Sequence, residues 1–350
     1  MARFAQKDIN GLTAANIEVM QALGQYRYLT PSQIVELGII SHRDVFYQLM
    51  KRFNAFPNPI VGQAAFSEVH SDGKQGRKKL ESVHYLTRRG AELLSLLDHD
   101  NDPEAILSVA RQPLTQKDYW HRRETIDLQI LVNQFAFRHG CTIEAFDLYF
   151  NHEGANHSKS GHGRRKANTT ITYELTDHND QPLGVPQTIM PDAILKLADP
   201  TGHTHLFAIE IQRGMDTKRL HHKLRDQYIP ALGEGAINGA YGVKPAPVIL
   251  TICENPSLME QTLKRLRDDP YFEGFGDHFA FHTSETLLPP PPKQPKDKRF
   301  KITRDTRRDL SEVLEDWQGI LTNDHPSTKQ PLRLAQGWQF IEGKRGIFAT

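Results

Sequence analysis

The stretch IMPDAILKLADPTGHTHLFAIEIQRG, Ile189 to Gly214, decides how the larger part of this chain is read. Mostly apolar residues make up Ala193 to Leu197 and Leu206 to Ile211, each long enough for a strand. The polar run Asp199 to His203 between them carries proline and glycine, the residues of a turn. Two adjacent strands are expected, with Asp192 after Pro191 at the start of the first and Glu210 between Ile209 and Ile211 in the second. Carboxylates are rarely buried unless a partner compensates them. Two of them here need a cation, an Arg or Lys, or water. Glu210 and Gln212 stand two apart on one strand, so both side chains face the same side.

That pattern suits a metal-dependent nuclease. Two or three carboxylate oxygens hold Mg²⁺ or Mn²⁺, which contacts a scissile phosphate and lowers the pKa of the attacking water. A nearby Lys or Gln positions that water and carries transition-state charge. Asp192 and Glu210 are the candidate metal ligands, with Gln212 beside them. Glu124 or Asp127 on a preceding helix would complete the shell, and Lys223 on a following helix would supply the ammonium. The competing structural reading pairs Glu210 with Arg213 or Lys218 and leaves Asp192 capping a turn.

Around this pair the order of elements gives the class. WHRRETIDLQILVNQFAFRHG has helical spacing and CTIEAFDLYF alternates as a strand. DTKRLHHKLRDQYIPAL reads as one helix, PAPVILTICEN as a buried strand, PSLMEQTLKRLRD as a helix, and HFAFHTS as the strand that closes the sheet. A sheet flanked by helices, α/β or α+β, is expected over residues 115–285. The nearly apolar-free run from Asn151 to Thr169 is expected as a long loop. Its basic cluster Arg164, Arg165 and Lys166 suits phosphate contacts.

Residues 1–105 read differently. Thr30 is a candidate N-cap with Pro31 in the first helical position. SHRDVFYQLMKRFNAFPNP follows, with Ser41 as its expected cap and Val45, Leu49 and Phe53 along one apolar face. Its polar sides carry His42, Arg43, Gln48, Lys51 and Arg52. Two short helices with a tight turn fit a helix-turn-helix, and the hairpin from Pro59 to Leu86 makes it a winged helix. The wing tip would carry Lys74, Arg77, Lys78 and Lys79, placed to meet a DNA backbone. A protein-binding module is the plainer alternative.

The 350 residues leave room for two domains or three, and 38% hydrophobic content excludes wholesale disorder. Two cysteines, Cys141 and Cys253, exclude a disulfide scaffold or a cysteine-rich zinc site and fit a reducing compartment. The 17 histidines are scattered without metal-ligand spacing. Net charge is +1, so partner choice rests on the local clusters. Neither a leader nor a bilayer-length apolar run is expected, which makes the cytoplasm the expected location. Four prolines from Pro289 open a linker and docking segment over 286–350. It includes an expected helix DLSEVLEDWQGILT and a small hairpin GWQFIEGKRGIF that docks on the core.

Several ordered matches give the chain a resemblance to the replication-relaxation family of plasmid and mobile-element proteins. GQYRYLTPSQIVELG resembles that family's opening "YRFLT…Q" helix-turn-helix, and VHYLTRRGAELL resembles its "YLT..G..LL" strand and helix. His121 leads the next helix. MPDAILKL and FAIEIQRGMDTKRLHHKLRDQY resemble its "PDA…LEIDRGT…K…Y" core; the match covers about residues 15 to 285. The resemblance implies a winged helix joined to a restriction-endonuclease-like domain. It implies bacterial relaxases that nick a transfer or replication origin in plasmid mobilization and conjugation, or non-catalytic replication and mobilization factors. Asp192 and Glu210 would be the metal carboxylates, Lys223 the helix lysine and Tyr228 its companion. The chain departs at Gln212, where the family often has Asp, and at Met215-Asp216, where it often has Thr then Glu. The expected partners are origin DNA, mobilization or coupling proteins and a second copy of the chain, with no membrane insertion.

Overall fold

A computed structural model describes residue 4 and residues 9–69, 76–97, 106–107, 119–153, 166–179, 181–214, 216–288 and 334–347. These form two compact units divided between Ile126 and Asp127; residues 334–347 belong to the second. The expected tip residue Lys74, the cluster residues Arg164 and Arg165, and the expected helix DLSEVLEDWQGILT lie outside the described residues.

The first unit opens with helix α1 (Ala14–Tyr26), which buries Val19, Met20 and Leu23. Helix α2 (Pro31–Glu36) starts as expected: the Thr30 hydroxyl accepts from the Gln33 amide, and the Gln33 side chain accepts from the Thr30 N–H at 2.8 Å. Helix α3 (Arg43–Phe53) starts one residue later than expected, with His42 at the cap position and no side-chain cap bond. Its buried stripe is Phe46, Leu49, Met50 and Phe53, the i, i+3, i+4, i+7 set, and Val45 is only half-buried. The helix is therefore rotated from the expected face, because Phe46 and Met50 offer more apolar surface than Val45.

Strands β1 (Val61–Ala64) and β2 (Ser67–Val69) return through β3 (Arg77–Lys79) and β4 (Val83–Leu86). β1 pairs antiparallel with β4, and β2 with β3. Leu29 exchanges two backbone bonds with His84, adding a third short run beside β4. Thr87 caps helix α4 (Arg88–Leu97) by accepting from the Gly90 N–H, and it donates to the Pro59 carbonyl. Gly90 is needed there: a Cβ would stand 2.0 Å from the Ile60 carbonyl oxygen.

Helix α5 (Tyr119–His139) contains the division between the units. The second unit is a seven-stranded mixed sheet. From one edge it runs β5 (Thr142–Leu148), β10 (Ala193–Ala198), β11 (Thr204–Gln212), β12 (Val248–Cys253), β13 (Phe279–Thr283), β14 (Trp338–Phe340) and β15 (Gly343–Arg345). The pairings β5/β10 and β10/β11 are antiparallel, β11/β12/β13 parallel, and β13/β14/β15 antiparallel. Two small hairpins, β6 (His152–Glu153) with β7 (Lys166–Ala167) and β8 (Ile171–Tyr173) with β9 (Gln187–Ile189), lie between β5 and β10 in sequence. HFAFHTS does not close the sheet: β13 is internal, because the C-terminal hairpin pairs with it and buries Trp338.

The chain crosses from β11 to β12 through helix α6 (Thr217–Lys223), a π-turn (Leu224–Tyr228), α7 (Ile229–Gly233) and α8 (Ala236–Ala240). It crosses from β12 to β13 through α9 (Pro256–Arg267). These elements cover one sheet face: Ile194, Leu206, Ala208, Ile249, Phe279 and Phe281 pack with Leu220, Leu224, Tyr228, Leu258 and Leu263. Leu206 to Ile211 of β11 are all buried, as expected of a central strand covered on both sides.

Candidate active site

Side chains alternate along each strand, so registered partners share a face. Ala208 is paired with Ile194 and Ile249, a wholly apolar row. One step further along β11, Glu210 is paired with Thr251. Asp192, just before β10, donates its N–H to the Ile209 carbonyl and accepts at its own carbonyl from Tyr149. A further step brings Gln212, Cys253 and Thr283 into line. The covered face thus turns from apolar to polar at the carboxyl ends of the three parallel strands, the end where open α/β sheets present ligand sites.

The end of the β10 ladder is made by Pro191, which has no N–H to give. Beyond it the Asp192 carboxylate accepts the Ile211 N–H at 2.8 Å. Glu210 is 4% exposed. Lys223 Nζ donates to its Oε2 at 2.6 Å and, more weakly, to the Met190 carbonyl at 3.4 Å. Tyr228 Oη donates to Glu210 Oε1.

The π-turn explains how one helix delivers both donors. Lys223 and Tyr228 are five residues apart, which on an α-helix would separate them by about 140° around the axis. Here the Ile229 N–H reaches back five residues to the Leu224 carbonyl, and the wider turn brings residues five apart nearer to one face. The sequence cause is Pro230. It lacks an N–H, and its ring would clash with the Asp226 carbonyl of a regular helix; the wider turn removes the conflict. Tyr173 Oη on β8 donates to the Gln227 carbonyl within the turn. The expected single helix is therefore interrupted where it meets the site.

Burial raises the Glu210 carboxyl to about 7, with Asp192 adding to the rise; Lys223 and Tyr228 act against it. Burial works against the Lys223 charge, but Glu210 and Asp192 outweigh it and hold the ammonium above its ordinary value. Burial, then Glu210, push the Tyr228 phenol well up. Lysine thus stays charged and tyrosine neutral, and Glu210 is the group that titrates near neutrality.

Among the described residues no three His, Cys, Asp or Glu side chains converge on one point. Asp192 and Glu210 are two carboxylates, and a magnesium-type ion commonly takes one or two carboxylates with water and substrate phosphate. A carboxylate has about four lone-pair positions, so Lys223 and Tyr228 do not exhaust Glu210. The donor set fits such an ion. Gln212 is half-buried on the same strand face, its amide donating to the Arg213 carbonyl at 3.2 Å. Arg213 pairs with Glu254 at 2.8 Å, so it is not the partner of Glu210. Glu124 is buried in the first unit, and the cluster is built from second-unit residues alone.

In the first unit α3 exposes His42, Asp44, Tyr47, Gln48, Lys51 and Arg52. Arg43 leans on Glu81 at 3.9 Å, and Arg52 donates to the Gly11 carbonyl at 3.0 Å. Arg77, Lys78 and Lys79 are exposed on β3; Lys78 pairs with Glu68 at 3.1 Å. Lys166 forms part of β7. Tyr47, 47% exposed between these polar residues, is the aromatic that the misassigned helix face had concealed. Thr251 was also missed, since a threonine in an apolar strand gives no signal until the register is known. No family model, no curated protein and no solved structure matches the chain. No helix among the described residues is long and apolar enough to cross a membrane.

Proposed function

We propose that the protein binds DNA and cleaves a phosphodiester at a metal-dependent centre of Asp192, Glu210 and Lys223. The observation that carries this is the delivery of the Lys223 ammonium to Glu210 at 2.6 Å, with Asp192 beside it at the polar end of the sheet. Asp192 and Glu210 would hold Mg²⁺ or Mn²⁺, which lowers the pKa of a bound water. Lys223, held charged, meets the phosphate and balances the charge that develops on it. Gln212 lies near enough along β11 to orient the incoming group.

The fold reading behind this is a winged helix followed by a restriction-endonuclease-like domain. A helix, three antiparallel strands β5, β10 and β11, a helical crossover and a fourth strand β12 parallel to the third support the second half. The pairing of α2 and α3 before the β1–β4 hairpin supports the first, with the face Tyr47, Gln48 and Lys51 toward DNA and Lys78 and Lys79 toward phosphates. A plasmid transfer or replication origin as the cut site, and mobilization partners, rest on the sequence resemblance.

A second reading has its own observation. Both Glu210 oxygens are already engaged by Lys223 and Tyr228, as in a scaffold that binds origin DNA without cutting it. Supercoiled DNA carrying the origin, incubated with Mg²⁺ or Mn²⁺, separates the two. Open circles made by the parent and lost in Asp192→Ala, Glu210→Ala and Lys223→Ala proteins that still bind the DNA support the enzyme. Tight binding with no cut under either metal supports the scaffold.

A further inference from the structure

The strand VILTIC has one hydroxyl in its buried core, at Thr251. The residue is fully buried, and among the described residues its Oγ1 has no hydrogen-bond partner. Such an atom lowers stability, because its hydration is lost with no bond in return. Valine has the same shape and would carry no such cost. The nearby buried Thr262 is satisfied, its hydroxyl donating to the Leu258 carbonyl at 2.8 Å. Thr169 is another buried threonine whose hydroxyl lacks a partner, but it lies in the turn after β7, outside the cluster of Glu210, Lys223 and Tyr228.

Thr251 is the registered neighbour of Glu210 on β12, and the two side chains leave the same face of strands about 5 Å apart. Glu210 is turned instead toward Lys223 and Tyr228 on the overlying helix. Resting on the carboxylate reading above, we propose that Thr251 is the positioning residue for Glu210. Its hydroxyl is the donor that takes one carboxylate oxygen when Glu210 gives up Tyr228 to receive a divalent cation. The carboxylate then has two arrangements, one tied to the π-turn and one tied across the sheet. The hydroxyl's missing partner in the first is its Glu210 partner in the second.

The test uses Mn²⁺ alone as the probe, titrated into the full chain by calorimetry, beside the cleavage assay. Thr251→Val should lower Mn²⁺ affinity by about tenfold or more, the usual effect of losing a group that orients a metal ligand. Melting should be unchanged or raised, and Thr251→Ser should restore the affinity. Tyr228→Phe should move the affinity the other way, since it removes the competing partner. Thr251→Val binding Mn²⁺ as the parent does, with normal melting, overturns the proposal. So does a loss that Thr251→Ser fails to restore. A parent that binds Mn²⁺ in a Thr251-dependent way but never cuts DNA supports the positioning role and sinks the nuclease reading. A parent that binds no Mn²⁺ overturns both.

Discussion

Replacing Glu210 with glutamine tests whether the buried carboxylate serves the fold or strains it. The side chain keeps its size and loses only its ionisation. In the native protein burial lifts the carboxyl from the ordinary 4.5 to about 7. The folded chain therefore holds this proton more tightly than the unfolded chain does. The resulting stability is fully present below about pH 4.5 and is lost as pH rises through about 7. At ~1.4 kcal/mol per pH unit the loss amounts to roughly 3 kcal/mol by pH 8. Glu210→Gln does not titrate and should escape it. The variant should match the parent near pH 4.5 and exceed it by roughly 3 kcal/mol at pH 8, about 6–12 °C for a unit of this size. Scanning calorimetry at pH 5, 7 and 8 gives the difference, and amide exchange at Ala208 to Ile211 assigns the transition to the second unit. A Glu210→Gln protein destabilised equally at pH 5 and pH 8 would refute the reasoning. Glu210 would then be ionised throughout, and its bond to Lys223 would be a structural bridge.

Three other outcomes are expected. His84 is 1% exposed with no partner for either ring nitrogen among the described residues, and burial lowers its pKa from 6.5 to about 4. Its contribution is intact above about pH 6.5 and falls by roughly 3 kcal/mol as pH drops toward 4; His84→Leu should flatten that part of the first unit's stability profile in urea titrations. Gly90→Ala, stabilising in an ordinary helix, should cost about 1–3 kcal/mol here, read as a lower melting point, because the methyl meets the Ile60 carbonyl. If α3 and β3 meet DNA phosphates, Lys51→Ala and Lys79→Ala should each reduce the slope of log affinity against log salt by about 0.9. Arg52→Ala, whose guanidinium is already bonded to Gly11, should change that slope less, and equal slopes for all three proteins would remove the argument.

The strands after Asp192 and around Glu210 were readable because short, mostly apolar runs between turn residues have few other solutions. The cap at Thr30 was readable for a similar reason, since Thr-Pro before a polar run matches the local chemistry of a helix start. The face of α3 was not. Val45 and Phe46 are adjacent apolar residues, and only packing decides which turns inward. The π-turn was hidden because a proline seven residues after Lys223 signals a break without saying which helix type absorbs it. The joint delivery of Lys223 and Tyr228 to Glu210 depends on that turn, so a lysine could be nominated but its shared contact could not. Thr251 is legible only once β11 and β12 are aligned residue by residue, because the two strands are separated by the whole helical crossover.

Two strands of the sheet come from a segment remote in sequence from the other five. β13 ends at Thr283 and its neighbour β14 begins at Trp338, so two strands that pair are far apart in sequence. Until residues 338–345 have been made and paired, the backbone edge of β13 lacks this neighbour, and an open edge invites pairing with another chain. A message cut short anywhere between those points would yield a protein with Asp192, Glu210, Thr251 and Lys223 all present and one flank of their sheet bare. The β14–β15 hairpin thus closes a flank that a shortened copy would leave as an exposed edge.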